Sequence, residues 1–158
     1  MQHPVKAKKH LGQHFLNDLD AAAAIVDALT VHNGYVDVLE IGPGTGVLSV
    51  LLFRRKEFRV TLLDVDQESI QYLHKTYPDH QERILYGDFL TVDLNALFPG
   101  EFAVIGNFPY NISTQILFRV LEFRERVPEV VGMFQKEVAE RIASRPGNRD
   151  YGILSVFM

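Results

Sequence analysis

The sequence predicts an α/β fold, a mainly parallel sheet with helices on both faces. Apolar runs of strand length alternate with segments whose apolar residues recur at helical spacing. The strand candidates are almost continuously apolar, the pattern of strands covered on both sides. With 158 residues, 47% of them hydrophobic, the chain can bury one substantial core.

The elements follow in order. Residues 1–16 are basic and irregular, with Lys6, Lys8 and Lys9 and no acid before Asp18. Asn17 or Asp18 caps a helix through LDAAAAIVDAL. Val36–Ile41 is a buried strand, then GPGTG, then a helix through VLSVLLFRR. Arg59–Val65 is the second strand, and QESIQYLHKTY the helix behind it, with Asp66 as its cap. Arg83–Asp88 and Phe102–Asn107 are further strands, and STQILFRVLEF is helical. EVVGMFQ is a fifth strand and KEVAERIAS a last helix. Tyr151–Met158, YGILSVFM, reads as the opening of a buried strand that stops, the expectation for a chain whose remainder lies beyond it.

Composition excludes several classes. There are no cysteines, so no disulfide, thiolate zinc site or cysteine nucleophile, which fits a reducing compartment. The net charge of −4 gives no global sign of nucleic-acid binding, so any such role rests on local patches. No signal-peptide pattern and no bilayer-length apolar run occur. The expectation is a soluble, cytoplasmic monomer.

In parallel sheets, ligands bind outside the carboxyl ends of the strands, so the residues just past each strand are the informative ones. After the first strand comes Glu40-Ile41-Gly42-Pro43-Gly44-Thr45-Gly46. Its glycines permit a tight turn and close approach to a ligand. Val47 breaks the dinucleotide fingerprint, and no lysine makes a P-loop. A plain tight turn is the competing reading. After the second strand, Asp64 can accept from both ribose hydroxyls of a nucleoside. A calcium loop fails there, because Ser69 and Lys75 stand where glycine and glutamate belong. After the third, Asp88 can accept from an exocyclic amine and Phe89 can pack on a purine, unless they are simply a turn and a core residue.

After the fourth strand stands GNFPYNIST, Gly106–Thr114. A purine amino group is a poor nucleophile, since its lone pair is delocalised into the ring. Two acceptors that hold its hydrogens, the Asn107 side-chain oxygen and the Phe108 carbonyl, would tip the nitrogen towards tetrahedral geometry. Pro109 fixes the turn and Tyr110 offers a stacking face. A base reached this way must be flipped or single-stranded.

At these residues the sequence resembles the KsgA family, S-adenosylmethionine-dependent small-subunit ribosomal RNA adenine dimethyltransferases. GQHFL, EIGPGTGVLS, GDFL, GNFPYNIST, QKEVAERI and YGILSV occur in the family's order and spacing. The resemblance implies a class I methyltransferase fold (Rossmann-like), without the family's C-terminal helical domain. It implies residues 17–158 as the methyltransferase domain, with 1–16 contributing to the cofactor pocket. Gln13, His14 and Leu16 would lie against the methionine part of S-adenosyl-L-methionine, with Gly42 and Gly44 beneath it. Glu40 opens the loop. Asp64, followed by Val65, would hold the ribose, Asp88 beside Phe89 the adenine amine, and Asn107, Phe108, Pro109 and Tyr110 the target adenine. Two departures stand out: Asp64 replaces the usual Glu, and His14 a common Asn.

Lys6, Lys8, Lys9, Lys136, Arg141 and Arg145 are candidate contacts to RNA phosphates. His10 and His14 have metal-ligand spacing but no third partner, so no metal site is expected. The expected function is N6 dimethylation of neighbouring adenines near the 3′ end of small-subunit ribosomal RNA, with the small subunit as partner. Four alternatives are carried: an Erm-type methyltransferase of large-subunit RNA, a DNA adenine methyltransferase (disfavoured because Phe108 stands where such enzymes show a second proline), a non-catalytic RNA-binding assembly factor, and an NAD-dependent oxidoreductase.

Overall fold

The computed structural model describes residues 18–108, 111–134 and 136–143. Strands β1 (Asp37–Ile41), β2 (Arg59–Asp64), β3 (Ile84–Tyr86), β4 (Phe102–Asn107) and β5 (Val130–Met133) form one sheet in the order β3-β2-β1-β4-β5, every pair parallel. Helices α1 (Leu19–Asp27), α2 (Val47–Phe53), α3 (Gln67–Thr76), α4 (Leu94–Leu97), α5 (Ser113–Glu122) and α6 (Lys136–Ala143) connect and follow them. The α/β expectation is borne out. The terminal strand expected at Tyr151–Met158 lies outside the described residues.

Local chemistry sets the helix starts. Asp18 caps α1 by accepting from the Asp20 and Ala21 N–H groups. Asp66 caps α3 through the Glu68 N–H at 3.2 Å and also accepts from the Ser69 hydroxyl at 3.0 Å. Short helix α4, capped by Asp93, and 3-10 turns at His32–Gly34 and Pro78–Arg83 are additions that the apolar spacing did not announce.

The core is in two layers, divided by the pleat. Val38, Val60, Leu62, Ala103 and Ile105 join α1, α2 and α3 in one apolar cluster. Leu39, Ile41, Leu63, Phe102 and Val104 join Leu94, Ile116 and Val120 in the other. Successive residues of β1, β2 and β4 thus alternate between the two faces although nearly all are buried. No helix among the described residues is long and apolar enough to cross a membrane.

Candidate active site

Chain order reverses beside β1, whose neighbours are β2 on one side and β4 on the other. Connections leaving to opposite sides open a crevice outside the carboxyl ends of these strands. Ile41 pairs with Leu63 and with Gly106. One residue further on, Gly42, Asp64 and Asn107 therefore stand in a row across three strands. At a strand spacing of about 4.8 Å, the outer two lie on the order of 10 Å apart with the glycine between them. The pleat also assigns Glu40, Asp64 and Asn107 to the face covered by α1, α2 and α3, since each lies two residues beyond a member of that cluster.

The loop after β1 is a fixed turn. Gly42, Gly44 and Gly46 have φ of 66°, 58° and 89°, a left-handed backbone that a side chain would strain. Gly42 N–H donates to the Leu63 carbonyl at 2.9 Å and Gly46 N–H to that of Pro43 at 2.9 Å.

Asp64, 4% exposed, ties this loop to the next one. Its Oδ2 accepts from Gly44 N–H at 3.2 Å and its Oδ1 from Asp66 N–H at 3.0 Å. Burial pushes its carboxyl up to about 6; the backbone donors pull it down, and the charge of Asp66 pushes it up. A carboxylate offers about four lone-pair sites, more than these backbone donors use, so as an acceptor it fits a ribose diol.

Glu40, 1% exposed, accepts from the Ser49 hydroxyl of α2 at 2.6 Å on Oε2 and 3.1 Å on Oε1. Burial raises its carboxyl to about 8; Ser49 pulls it down, and Asp64 adds to the rise. Glu40 thus braces the glycine loop against α2. Ser49, an ordinary helix serine by sequence, is its unanticipated partner.

Val65 is 38% exposed between two buried aspartates, Tyr86 at the end of β3 is 60% exposed, and Met133 at the end of β5 is 41% exposed. Each of these large apolar side chains is exposed at the carboxyl end of its own strand, β2, β3 or β5, where a flat apolar ligand face could pack on it.

Asp88 organises the loop after β3. Its Oδ1 accepts from Leu90 N–H at 2.9 Å, and its carbonyl accepts from Thr91 and Val92 N–H. The Phe89 ring is 3% exposed and belongs to the second core cluster, a core position. Arg119 of α5 closes the loop from outside, donating Nε to the Phe89 carbonyl at 3.1 Å and Nη2 to that of Val92 at 2.5 Å. Nothing local in the sequence marks Arg119, because its partners lie some thirty residues away.

Asn107 is half-buried at the end of β4, and the Phe108 ring is 5% exposed. Phe108 N–H donates to the Met133 carbonyl at 3.3 Å, which continues the ladder. Its ring lies over Gly106 and Gly132 with Phe134 beside it at 4.9 Å between centroids. A Cβ on Gly132 would meet that ring at 2.4 Å, so Gly132 makes the seat for Phe108. The buried ring anchors the main chain whose carbonyl is the expected second acceptor.

The site thus brings together Glu40, Gly42, Gly44, Asp64, Val65, Asp88, Asn107 and Phe108. Lys136 opens α6, and Arg141 is exposed on it. Gln13, His14, Leu16, Pro109, Tyr110, Lys6, Lys8, Lys9 and Arg145 lie outside the described residues. Among the described residues no group of three or more histidine or acidic side chains is placed to hold a metal ion.

Known proteins resemble this arrangement along nearly the whole chain. Residues 5–158 match the family model described as ribosomal RNA adenine dimethylase. Ribosomal RNA small subunit methyltransferase A of Cytophaga hutchinsonii is 58% identical over 98% of this chain and 60% of its own length. The protein of the same name from Flavobacterium johnsoniae is 54% identical over 96% of this chain and 58% of its own. The chain therefore spans about 60% of the length of the curated relatives it matches. Among solved structures, a dimethyladenosine transferase from Plasmodium falciparum superposes with a TM-score of 0.69 at 28% identity, covering 91% of this chain and 51% of that one. The 23S rRNA methyltransferase ErmE gives 0.63 at 29% identity, covering 81% and 50%. The five-stranded parallel sheet is that of the Rossmann-like class I methyltransferases, and with its match from residue 5 to residue 158 the chain belongs to the ribosomal RNA adenine dimethylase family.

Proposed function

We propose that the full-length protein is an S-adenosylmethionine-dependent enzyme that dimethylates N6 of neighbouring adenines near the 3′ end of small-subunit ribosomal RNA. It would act in the cytoplasm during subunit maturation. The row of Gly42, Asp64 and Asn107 at the strand switch point carries the reading. It sets a diol acceptor and an amide acceptor on either side of a bare backbone turn.

Each residue then has a task. Asp64 accepts from the ribose hydroxyls, Val65 packs on the nucleoside, and Asp88 accepts from its adenine amine. S-adenosylmethionine supplies an electrophilic methyl group on a sulfonium sulfur. Asn107 Oδ1 and the Phe108 carbonyl accept the two N6 hydrogens of the target base, so its lone pair projects out of the ring plane towards the methyl. That methyl group would be the one transferred to N6, and the task of Asn107 and the Phe108 carbonyl is to hold N6 in line with it. The same two acceptors stabilise the positive charge that grows on N6 until its proton passes to water. Tyr110 is assigned to stack on the target base, and Lys6, Lys8, Lys9, Lys136, Arg141 and Arg145 to phosphates. Most of the work is positioning, because a sulfonium is already a good leaving group.

The test uses the full-length protein, labelled cofactor, small subunits lacking the modification and protein-free large-subunit RNA. Dimethyladenine confined to the small subunit is expected. Asn107→Ala should lower methyl transfer by about a hundredfold or more, the scale of losing a transition-state hydrogen-bond partner, with cofactor affinity nearly unchanged. Equal loss of both would refute the role given to that amide. The likeness to ErmE supports the second reading, in which label enters the large-subunit RNA.

A further inference from the structure

At the end of the sheet opposite the crevice lies a second concavity. A cleft of about 250 Å³ is lined by Arg55, Lys56, Arg59, Arg83, the rings of Phe53 and His80, and two further apolar residues, with no carboxylate among its lining. Arg59 opens β2 and Arg83 immediately precedes β3, whereas Asp64 and Tyr86 end those strands. Five strand steps separate Arg59 from the crevice row, about 17 Å, and three separate Arg83, which stands opposite Thr61, about 10 Å.

The charges divide into two kinds. Arg59 makes a bidentate pair with Asp37, at 2.6 and 2.7 Å, and Arg55 meets Glu57 at 2.6 Å and Asp27 at 3.4 Å. Those carboxylates are not part of the cleft's lining, and they hold the guanidinium groups in place while offsetting their charge. Lys56 and Arg83 have no carboxylate within 4.0 Å among the described residues. Among the described residues, Arg83 donates only to the Thr61 hydroxyl, at 3.4 Å. Asp79 and Glu82, on the same short segment as Arg83, are exposed but do not line the cleft. Lys56 and Arg83 thus stand in a concave site as two cations without a paired carboxylate, and the four cations with Asp27, Asp37 and Glu57 leave a net charge near +1. The Phe53 and His80 rings stack at 3.9 Å and 1° beside them and give it a flat wall.

We propose that this cleft docks backbone phosphates of the structured RNA substrate, a contact remote from the adenine pocket that fixes how the RNA lies across the domain. Fork-shaped guanidinium groups held by carboxylates, an exposed ammonium and a ring wall suit phosphodiesters next to a base. The proposal rests on the reading of the substrate as RNA. A footprint reaching both ends of the sheet would select a folded RNA over a short single strand.

The test compares the full-length protein with its Lys56→Gln/Arg83→Gln variant, binding small subunits and their protein-free RNA over a range of salt. S-adenosylhomocysteine affinity and thermal midpoint serve as folding controls. Removing two phosphate contacts should reduce the slope of log affinity against log salt by about 1.8, and weaken binding roughly tenfold or more at low salt. Cofactor affinity should be unchanged. Unchanged slope and affinity in a folded variant would overturn the proposal. So would a loss seen with assembled subunits but not with RNA alone, which would assign the cleft to a ribosomal protein. Wild-type protein that binds neither substrate would refute the RNA reading itself, a distinct outcome. Should the double variant fail to fold, the single Lys56→Gln variant, on an exposed side chain, carries the same comparison with about half the slope change.

Discussion

Replacing Gly132 with alanine places a methyl carbon 2.3 Å from the Gly106 carbonyl oxygen and 2.4 Å from Phe108 Cε2. Gly132 does not have a left-handed φ, so the backbone accepts alanine and the penalty is purely steric. The oxygen belongs to β4, in register with β5 at Gly106↔Gly132, and cannot swing aside as a side chain can. Ordinary contact needs more than a further ångström, so β5 must move from β4 or the Phe108 ring must leave its seat. Overpacking of this kind costs about 1–3 kcal/mol, and this contact sits at the upper end. At roughly 2–4 °C per kcal/mol for a chain of this size, the thermal midpoint should fall by about 5–10 °C. Either displacement moves the Phe108 carbonyl and Asn107, and a shift near 1 Å at a reacting centre costs about a hundredfold in rate. Asp64 and the glycine loop lie on β2 and β1, so S-adenosylhomocysteine affinity should hold. The assays are thermal unfolding, calorimetric binding and single-turnover methyl transfer on the full-length protein. A variant that melts within a degree of wild type and transfers methyl at the wild-type rate would refute the claim that Gly132 seats Phe108.

Two further outcomes follow from the site. Glu40 has a folded-state pKa raised from 4.5 to about 8. Its stabilising contribution is therefore complete below about 4.5, declines as pH rises, and is lost above about 8. Glu40→Gln removes that dependence, so its thermal midpoint should gain on wild type between about pH 5 and about pH 9; a constant difference would show that Glu40 ionises normally. Arg119→Met removes two charge-assisted bonds to the loop carrying Asp88, each worth about 1.5–3 kcal/mol. Cofactor affinity should fall about tenfold, with the rate at saturating cofactor retained and Arg119→Lys only a partial rescue, since lysine lacks the fork. A lower midpoint with unchanged cofactor affinity would make Arg119 merely structural.

What was legible in the sequence shares one property: it is decided within a few residues. Asp18 and Asp66 cap helices through N–H groups two or three positions on. Gly42 and Gly44 mark a turn by their own backbone. The continuous apolar runs of β1, β2 and β4 give parallel, doubly covered strands, and the strand ends then point to Asp64, Asp88 and Asn107 as candidates. The short 3-10 turns and α4 escaped because a single turn leaves no periodicity to read.

By itself, then, the sequence determined the five strands and the longer helices, their order, the family motifs and the residue types at the strand ends. Tertiary structure decided which of them meet. Register aligned Gly42, Asp64 and Asn107 in one row. Packing gave Glu40 to Ser49, seated Phe108 on Gly132, and clamped the Asp88 loop with Arg119. Folding also gathered Arg55, Lys56, Arg59 and Arg83 into a cleft although the whole chain is acidic. The physical reason is that hydrogen bonding and overlap act over a few ångströms in space, whereas these partners are brought together by strand pairing across dozens of residues of chain.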